Sequence, residues 1–230
     1  MDNVGAVVVA AGRGTRMGAA DRKTFLPLAG KPVVVHALEA LEAAGVAEIV
    51  LVAAAEDAER AEALCREYGL SAVRRVVPGG AERPHSVREG LLALGAEWAI
   101  VHDGARPLVA PGVIRRCVEA ARRAGGAVAA VPVKDTIKLA DSAGMVEATP
   151  DRSRLWAVQT PQVFRRADLL RAIDAALADG FVATDDASAA ERLGIPVQLV
   201  MGDYRNIKIT TPEDLELAEL WLGGRTASGR

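Results

Sequence analysis

The sequence predicts an α/β fold: a mostly parallel sheet with helices on both faces and a β-hairpin arm projecting from it. Three observations carry this expectation. Short apolar runs alternate with helical patterns along most of the chain. The apolar runs are apolar throughout, without the in–out alternation of a half-exposed strand. The rhythm breaks once, after Val133. Strands buried on both faces read as continuous apolar runs, and helices between them provide the crossovers of a parallel sheet.

Val4 to Ala10 reads as the first buried strand. Pro32 to Ala44 reads as a helix, with Pro near its first turn and Gly45 just past its end. Glu48 to Ala54 is a strand, and Asp57 to Tyr68 a helix closed by Gly69. Ala72 to Val77 is a strand, followed by a helix from Ser86 to Leu94 with Ser86 as its cap. Trp98 to His102 and Ala127 to Val133 are strands on either side of a helix from Pro111 to Ala124. The arm, residues 134–153, consists of two short alternating segments, Asp135 to Ala140 and Met145 to Thr149, joined by the turn residues Asp141-Ser142-Ala143-Gly144. Trp156 to Phe164 resumes the core and leads to helices near Ala167 to Ala178 and Asp186 to Leu193. Strands at Val197 to Met201 and Asn206 to Ile209 and a helix from Pro212 to Leu222 complete a single domain, 1–222. Residues 223–230 read as a frayed, flexible tail. No internal repeat is visible.

Composition removes several function classes. A formal charge of −2 provides no global field for nucleic acid or an anionic membrane, so any anion affinity is local. Cys65 and Cys117 are too few for a disulfide framework and lack metal-ligand spacing; they suit reduced, buried thiols in a cytoplasmic protein. Met1-Asp2-Asn3 leads straight into a strand, with no basic leader. No apolar run is long enough to span a bilayer.

In a parallel α/β sheet, ligands bind beyond the carboxyl ends of the strands. The loop after the first strand is therefore the first candidate site: Ala10-Ala11-Gly12-Arg13-Gly14-Thr15-Arg16-Met17. Its glycines let the backbone turn sharply, and successive N–H groups in such a turn form an anion-binding concavity. Arg13, Arg16, Arg22 and Lys23 stand against a single acid, Asp21, and guanidinium groups suit phosphate oxygens. Met17 breaks both the dinucleotide fingerprint and the P-loop pattern. A tight turn with solvated arginines would explain the glycines alone; the basic cluster favours phosphate.

Together with Lys23 and Leu26-Pro27-Leu28, this loop resembles the nucleotidyltransferases that activate sugars and polyols. The ordered motifs from the first strand to Leu222 resemble the 2-C-methyl-D-erythritol 4-phosphate cytidylyltransferase family of non-mevalonate isoprenoid biosynthesis. The resemblance implies a Rossmann-like three-layer nucleotidyltransferase fold and a homodimer held through the arm. It also implies Mg²⁺ as cofactor, with CTP and a polyol phosphate as substrates. Ala10, Ala11, Gly12, Gly14 and Gly104 would lie on the nucleotide, and Arg16, Lys23 and Lys208 would be the catalytic cations.

Each remaining motif has a functional and a bland reading. Gly79 to Val87 is a glycine-rich turn into a helix; the family resemblance implies contacts to the cytosine from Gly80, Ala81 and Ser86. The family often has Asp where this chain has Ala81, which leaves backbone contacts to the base, and often Pro at the position of Val9. In Val101 to Pro107, an acid at a strand end suits a Mg²⁺ ligand, or equally a loop cap paired with Arg106. The resemblance gives Asp103 both the metal and the substrate hydroxyls, and Arg106 the substrate. His102 has no assigned role. Charges on the arm are ordinarily solvated; by resemblance Thr136 and Arg152 bind the phosphate of the neighbouring subunit's substrate, with Ile137 and Trp156 helping the interface. Thr160 and Thr184 are expected on the substrate, Thr184 just before an acidic helix start. Lys208 lies in an apolar segment, where a lone Lys more often snorkels, and the match to the family brings it to the active site.

The implied reaction needs no general base, because a phosphate nucleophile is already anionic; this suits a chain with three histidines and no triad. Two rivals stay open: a cytidylyltransferase for another polyol phosphate such as ribitol 5-phosphate, and a non-catalytic nucleotide sensor. The chain ends soon after Leu222, as expected for the form without a fused downstream synthase.

Overall fold

The fold comes from a computed structural model that describes residues 1–12 and 22–227. A seven-stranded sheet runs in the order β11-β7-β10-β6-β1-β4-β5. Its strands are β1 (Val4–Val9), β4 (Glu48–Ala53), β5 (Val73–Pro78), β6 (Trp98–Asp103), β7 (Gly126–Pro132), β10 (Trp156–Arg165) and β11 (Val197–Met201). Only β10 runs antiparallel to its neighbours; the other pairings are parallel. Two small hairpins stand outside the sheet: β2 (Pro27–Leu28) with β3 (Lys31–Pro32), and β8 (Leu139–Ala140) with β9 (Val146–Ala148).

The continuous apolar runs are explained by two cores. In β1, Ala6 and Val8 face one layer and Val7 the other. The first layer is built by α1 (Val33–Ala43), α2 (Ala58–Glu67) and α4 (Pro111–Ala124) through side chains such as Leu38, Ala61 and Ile114. The second is built by α3 (Arg83–Ala93), α5 (Arg166–Ala178) and α6 (Asp186–Arg192) through Leu91, Leu169 and Ala190. Aromatics are few, so the filling rests on Val, Leu, Ile and Ala, with Phe164 the largest fully buried side chain among the described residues. A third, smaller cluster seats α7 (Pro212–Ala227) through Ala218 against Leu28, Val33, Leu108 and Ile209. Burial pushes the Cys65 thiol up to about 11 and the Cys117 thiol up to about 12, so both remain protonated.

Three expectations are corrected. Asn206 to Ile209 is not a strand: the buried Asn206 amide donates to Gln159 Oε1 and to the Thr160 carbonyl, and its own N–H turns back to Asp203 O. Side-chain bonding of this kind offers the backbone an alternative to a sheet ladder. Ser86 does not cap its helix, because α3 begins three residues earlier at Arg83 with Glu82 in the cap position. The last helix continues past Leu222 to Ala227, into the stretch read as tail.

The arm leaves the sheet between β7 and β10. Its regular part is small, Leu139–Ala140 against Val146–Ala148, and Asp141 Oδ1 closes the turn by accepting the N–H groups of Ala143 and Met145 at 2.9 Å each. Leu139, Met145 and Val146 are exposed on it. No helix among the described residues is long and apolar enough to cross a membrane.

Candidate active site

The chain leaves β1 toward β4 and β6 toward β7, in opposite directions along the sheet. Beyond the carboxyl ends of such a pair an α/β sheet opens a crevice, and two cavities adjoin there. The first, of about 450 Å³, takes in Ala10 to Gly12, Lys23, the turn from Gly79 to Arg83, and Ser86. The second, of about 470 Å³, takes in Arg106, Gln159, Thr160, Thr184 and Asp185. Arg83, Asp103 and Lys208 line both and form the wall they share. Each volume suits a small organic ligand, for which clefts span roughly 300–1,000 Å³.

Asp103, the last residue of β6, is the centre of that wall and is buried. Its Oδ2 lies 2.9 Å from Lys208 Nζ and 3.6 Å from Arg106 Nε, and its Oδ1 lies 3.3 Å from Arg83 Nε. Burial alone would raise this carboxyl; Arg83, Lys208 and Arg106 outweigh it and hold the group well below the usual carboxylate range. Asp103 is thus ionised at neutral pH. Arg83 is also bidentate to the buried Asp186, at 2.9 and 2.7 Å. Burial works against its charge, yet Asp186 and Asp103 raise it above the ordinary guanidinium range. Three cations against two carboxylates leave this cluster with an excess of positive charge, as a polyanion site requires.

Behind Asp103 a buried relay fixes its backbone. His102 Nε2 is 3.2 Å from the Arg106 carbonyl, which can only accept, so Nε2 carries the proton. Burial holds the ring down to about 4, hence neutral, and Nδ1 is then an acceptor. The Thr160 hydroxyl therefore donates to Nδ1 across 2.9 Å, and its oxygen accepts the Asp103 N–H at 3.1 Å. Thr160 reaches this point because β10 is antiparallel to β6, with Gln162 opposite Val101. The Thr160 hydroxyl proton is thereby engaged in the relay, while the residue also lines the second cavity.

On the first cavity, Gly79 and Gly80 let the turn pass close to α3. A Cβ on Gly79 would sit 2.6 Å from Ala11 Cβ, and one on Gly80 would sit 2.4 Å from His85 Cβ. Ser86 Oγ accepts the Gly80 N–H at 3.2 Å and donates to Glu82 O. Ser86 is buried, shapes the turn through these two bonds and also lines the first cavity. Ala81 is exposed on the rim. Gly104 lines neither cavity. It is packed beside the end of β1, where its N–H donates to Val9 O at 2.9 Å.

The basic cluster expected in the first loop is reduced in one respect. Arg22 bonds to Glu56 and Asp57 and donates to Ala11 O at 3.0 Å, so its charge is matched and it braces the loop. Arg13, Gly14 and Arg16 lie outside the described residues. Thr136 and Arg152 are exposed and line neither cavity of their own chain; Arg152 Nη1 donates to Lys134 O at 2.7 Å, at the root of the arm. Thr184 stands just ahead of α6, whose start is locked by the Asp185–Ser188 capping box and by Gln162, which accepts the Ala187 N–H and donates to Asp185. Sequence reasoning missed Arg83 and Asp186. Their local signals, an Arg before Pro84 and an acid in a helix first turn, are commonplace, and only their pairing makes them a site. Among the described residues no group of three His, Cys, Asp or Glu side chains could hold a metal by protein atoms alone.

Residues 4–224 match the family model described as IspD, 2-C-methyl-D-erythritol 4-phosphate cytidylyltransferase. The chain is 49% identical over 229 residues to the 2-C-methyl-D-erythritol 4-phosphate cytidylyltransferase of Pelotomaculum thermopropionicum, covering 98% of this chain and 96% of that protein. It is 48% identical over 227 residues to the protein of the same name from Geobacillus kaustophilus, covering 98% and 99%. Among solved structures, the 4-diphosphocytidyl-2C-methyl-D-erythritol synthase of Anaerococcus prevotii superposes with a TM-score of 0.85 at 31% identity, covering 96% and 98%. The 2-C-methyl-D-erythritol 4-phosphate cytidylyltransferase of Thermus thermophilus superposes with a TM-score of 0.77 at 33% identity, covering 95% and 98%.

Proposed function

The chain belongs to the 2-C-methyl-D-erythritol 4-phosphate cytidylyltransferase family, and from that premise we propose that it transfers CMP from CTP to 2-C-methyl-D-erythritol 4-phosphate. The products are 4-diphosphocytidyl-2-C-methyl-D-erythritol and pyrophosphate. The observation that carries this reading is the pair of adjoining cavities with one shared, net-positive wall of Arg83, Asp103 and Lys208. Two anionic substrates can meet across such a wall.

A phosphate oxygen of the acceptor attacks the α-phosphorus of CTP; the new O–P bond forms as the bond to the pyrophosphate oxygen breaks. The nucleophile is already ionised, so no base is required, which agrees with a buried, neutral His102. The work left to the protein is orientation and stabilisation of charge on the α-phosphoryl oxygens. Lys23, on the first cavity, and Lys208, on the shared wall, are the cations assigned to that charge, with Arg16 from the first loop. The turn at Gly80 and Ala81 is assigned to the cytosine. Since the Gly80 N–H is engaged by Ser86, base recognition there falls to the carbonyls and to the Ala81 N–H. Arg106 and Thr184 are assigned to the polyol phosphate, on the second cavity.

Asp103 is the carboxylate suited to Mg²⁺. With three cations around it, it fits an ion held mainly by the triphosphate, since Mg²⁺ takes one or two carboxylates plus phosphate oxygens and water. When bound, the ion would neutralise triphosphate charge and lower the repulsion between the two anions.

The arm is assigned to a homodimer in which Thr136 and Arg152 serve the partner's second cavity. Exposed Leu139, Met145 and Val146 support this, as does the finding that Thr136 and Arg152 line neither cavity of their own chain. The thiol chemistry suits a cytoplasmic setting.

The test is pyrophosphate release with four nucleoside triphosphates crossed against 2-C-methyl-D-erythritol 4-phosphate and ribitol 5-phosphate. Rapid release is expected for CTP with the first acceptor. Preference for ribitol 5-phosphate would move the chain to the sister activity, and no release from any pair would leave a nucleotide sensor.

A further inference from the structure

The shared wall contains an ion-pair chain that crosses from one cavity to the other. It runs from Asp186 through Arg83 to Asp103, and from Asp103 to Lys208 and Arg106. Arg83 is the first residue of α3, which carries the turn of the first cavity; Asp186 is the first residue of α6, which borders the second. One planar guanidinium thus fastens two helix starts and a strand end that lie 20 and 103 residues away in the chain.

We propose that Arg83, held by Asp186, is a positioning residue that sets the Asp103 carboxylate and, through it, Lys208 for the transfer step. This inference rests on the reading of the chain as a cytidylyltransferase. Asp186 takes both terminal nitrogens of Arg83, so only Nε is left to face Asp103, at 3.3 Å. That single contact leaves Asp103 Oδ2 to Lys208 at 2.9 Å. Without the charge of Asp186, Arg83 is released to engage Asp103 with its full fork, the preferred geometry for a guanidinium and a carboxylate. Lys208 then loses its partner and its place on the wall. The buried Asp186 contributes no atom to either cavity lining, and its carboxylate bonds to Arg83, so its charge reaches the wall through that guanidinium.

The primary test is Asp186→Asn, which keeps the volume and one acceptor but not the charge. The expected result is a fall in kcat of about 100-fold, in line with the cost of a misplacement near 1 Å. KM for CTP and for the acceptor should change less than about threefold. A second variant, Arg83→Met with Asp186→Leu, replaces the part-buried pair by apolar side chains. Such replacements are commonly tolerated by the fold, so it should keep a cooperative unfolding transition and lose turnover to the same extent as Arg83→Met alone. The third readout is a crystal structure of Asp186→Asn, in which the Lys208–Asp103 contact should be broken.

Parent-like kcat in Asp186→Asn, or in the folded double variant, would overturn the proposal while leaving the cytidylyltransferase reading intact. An inactive parent would overturn that reading instead. In that event the crystal structure still decides: an unchanged Lys208–Asp103 distance with Asn at 186 refutes the positioning role.

Discussion

Acidification from pH 7 to pH 4 should cost the folded chain about 3 kcal/mol through His102 alone. The ring is fully buried, wedged between the Thr160 hydroxyl and the Arg106 carbonyl, with no group present to accept a second proton on Nδ1 without breaking the relay. Burial lowers its value from 6.5 to about 4. The unfolded chain protonates this ring near 6.5, and the folded chain does not until about 4, so the unfolded state binds more protons across that window and is favoured as pH falls. Each decade is worth about 1.4 kcal/mol, hence about 3 kcal/mol over the window, with full stability above 6.5 and the loss complete below 4. Asp103 acts elsewhere: its depressed value keeps its contribution intact down to the ordinary carboxylate value of 3.8, and the loss comes only at lower pH. The assay is urea unfolding at a series of pH values for the parent and for His102→Gln. Glutamine can still donate to the Arg106 carbonyl but has no proton to take up. The difference between parent and variant should therefore change by about 3 kcal/mol between pH 6.5 and 4. Parallel stability curves, or a His102 ring resonance that titrates near 6.5, would refute the reasoning.

Lys23→Ala should fold normally and lose roughly 100-fold or more in turnover, by the measure of a preorganised charge at the reacting phosphoryl group; unchanged pyrophosphate release would remove Lys23 from the catalytic set. Gly80→Ala drives a Cβ to 2.4 Å from His85 Cβ, so the turn must shift; KM for CTP should rise more than kcat falls, and calorimetry should show about 1–3 kcal/mol of destabilisation. Thr160→Val leaves His102 Nδ1 and the Asp103 N–H buried without partners, at about 1–3 kcal/mol each. That should appear as a melting temperature lower by roughly 5 °C or more, and an unchanged transition would mean the relay is not made.

Much of the fold was legible because its signals are local. The apolar runs of β1, β4 and β6 reflect strands buried on both faces, and Gly45, Gly69 and Gly125 mark helix ends where φ is positive. The failures share one cause. Asn206 to Ile209 has the apolar pattern of a strand, yet Asn206 bonds to residues 46 and 47 positions away and leaves the sheet. Arg22 reads as a phosphate cation beside Lys23, and Glu56 and Asp57, more than thirty residues on, take its charge. Thr160, by contrast, reads as a substrate contact and does line the second cavity; the antiparallel register adds a second position for its hydroxyl, between His102 and Asp103.

By itself the sequence determined the succession of strands and helices, the loops that end the strands, and the residue types those loops offer: glycines that permit close turns and cations that suit phosphate. These follow from steric and hydrophobic rules that act within a few residues. Only the tertiary structure decided which charges are left for a ligand. Asp103, Arg83, Arg106, Lys208 and Asp186 come from distant parts of the chain, and a charge is matched or available according to what lies within a few ångströms of it. Electrostatics depends on distance in space and on burial, and both are properties of the folded chain.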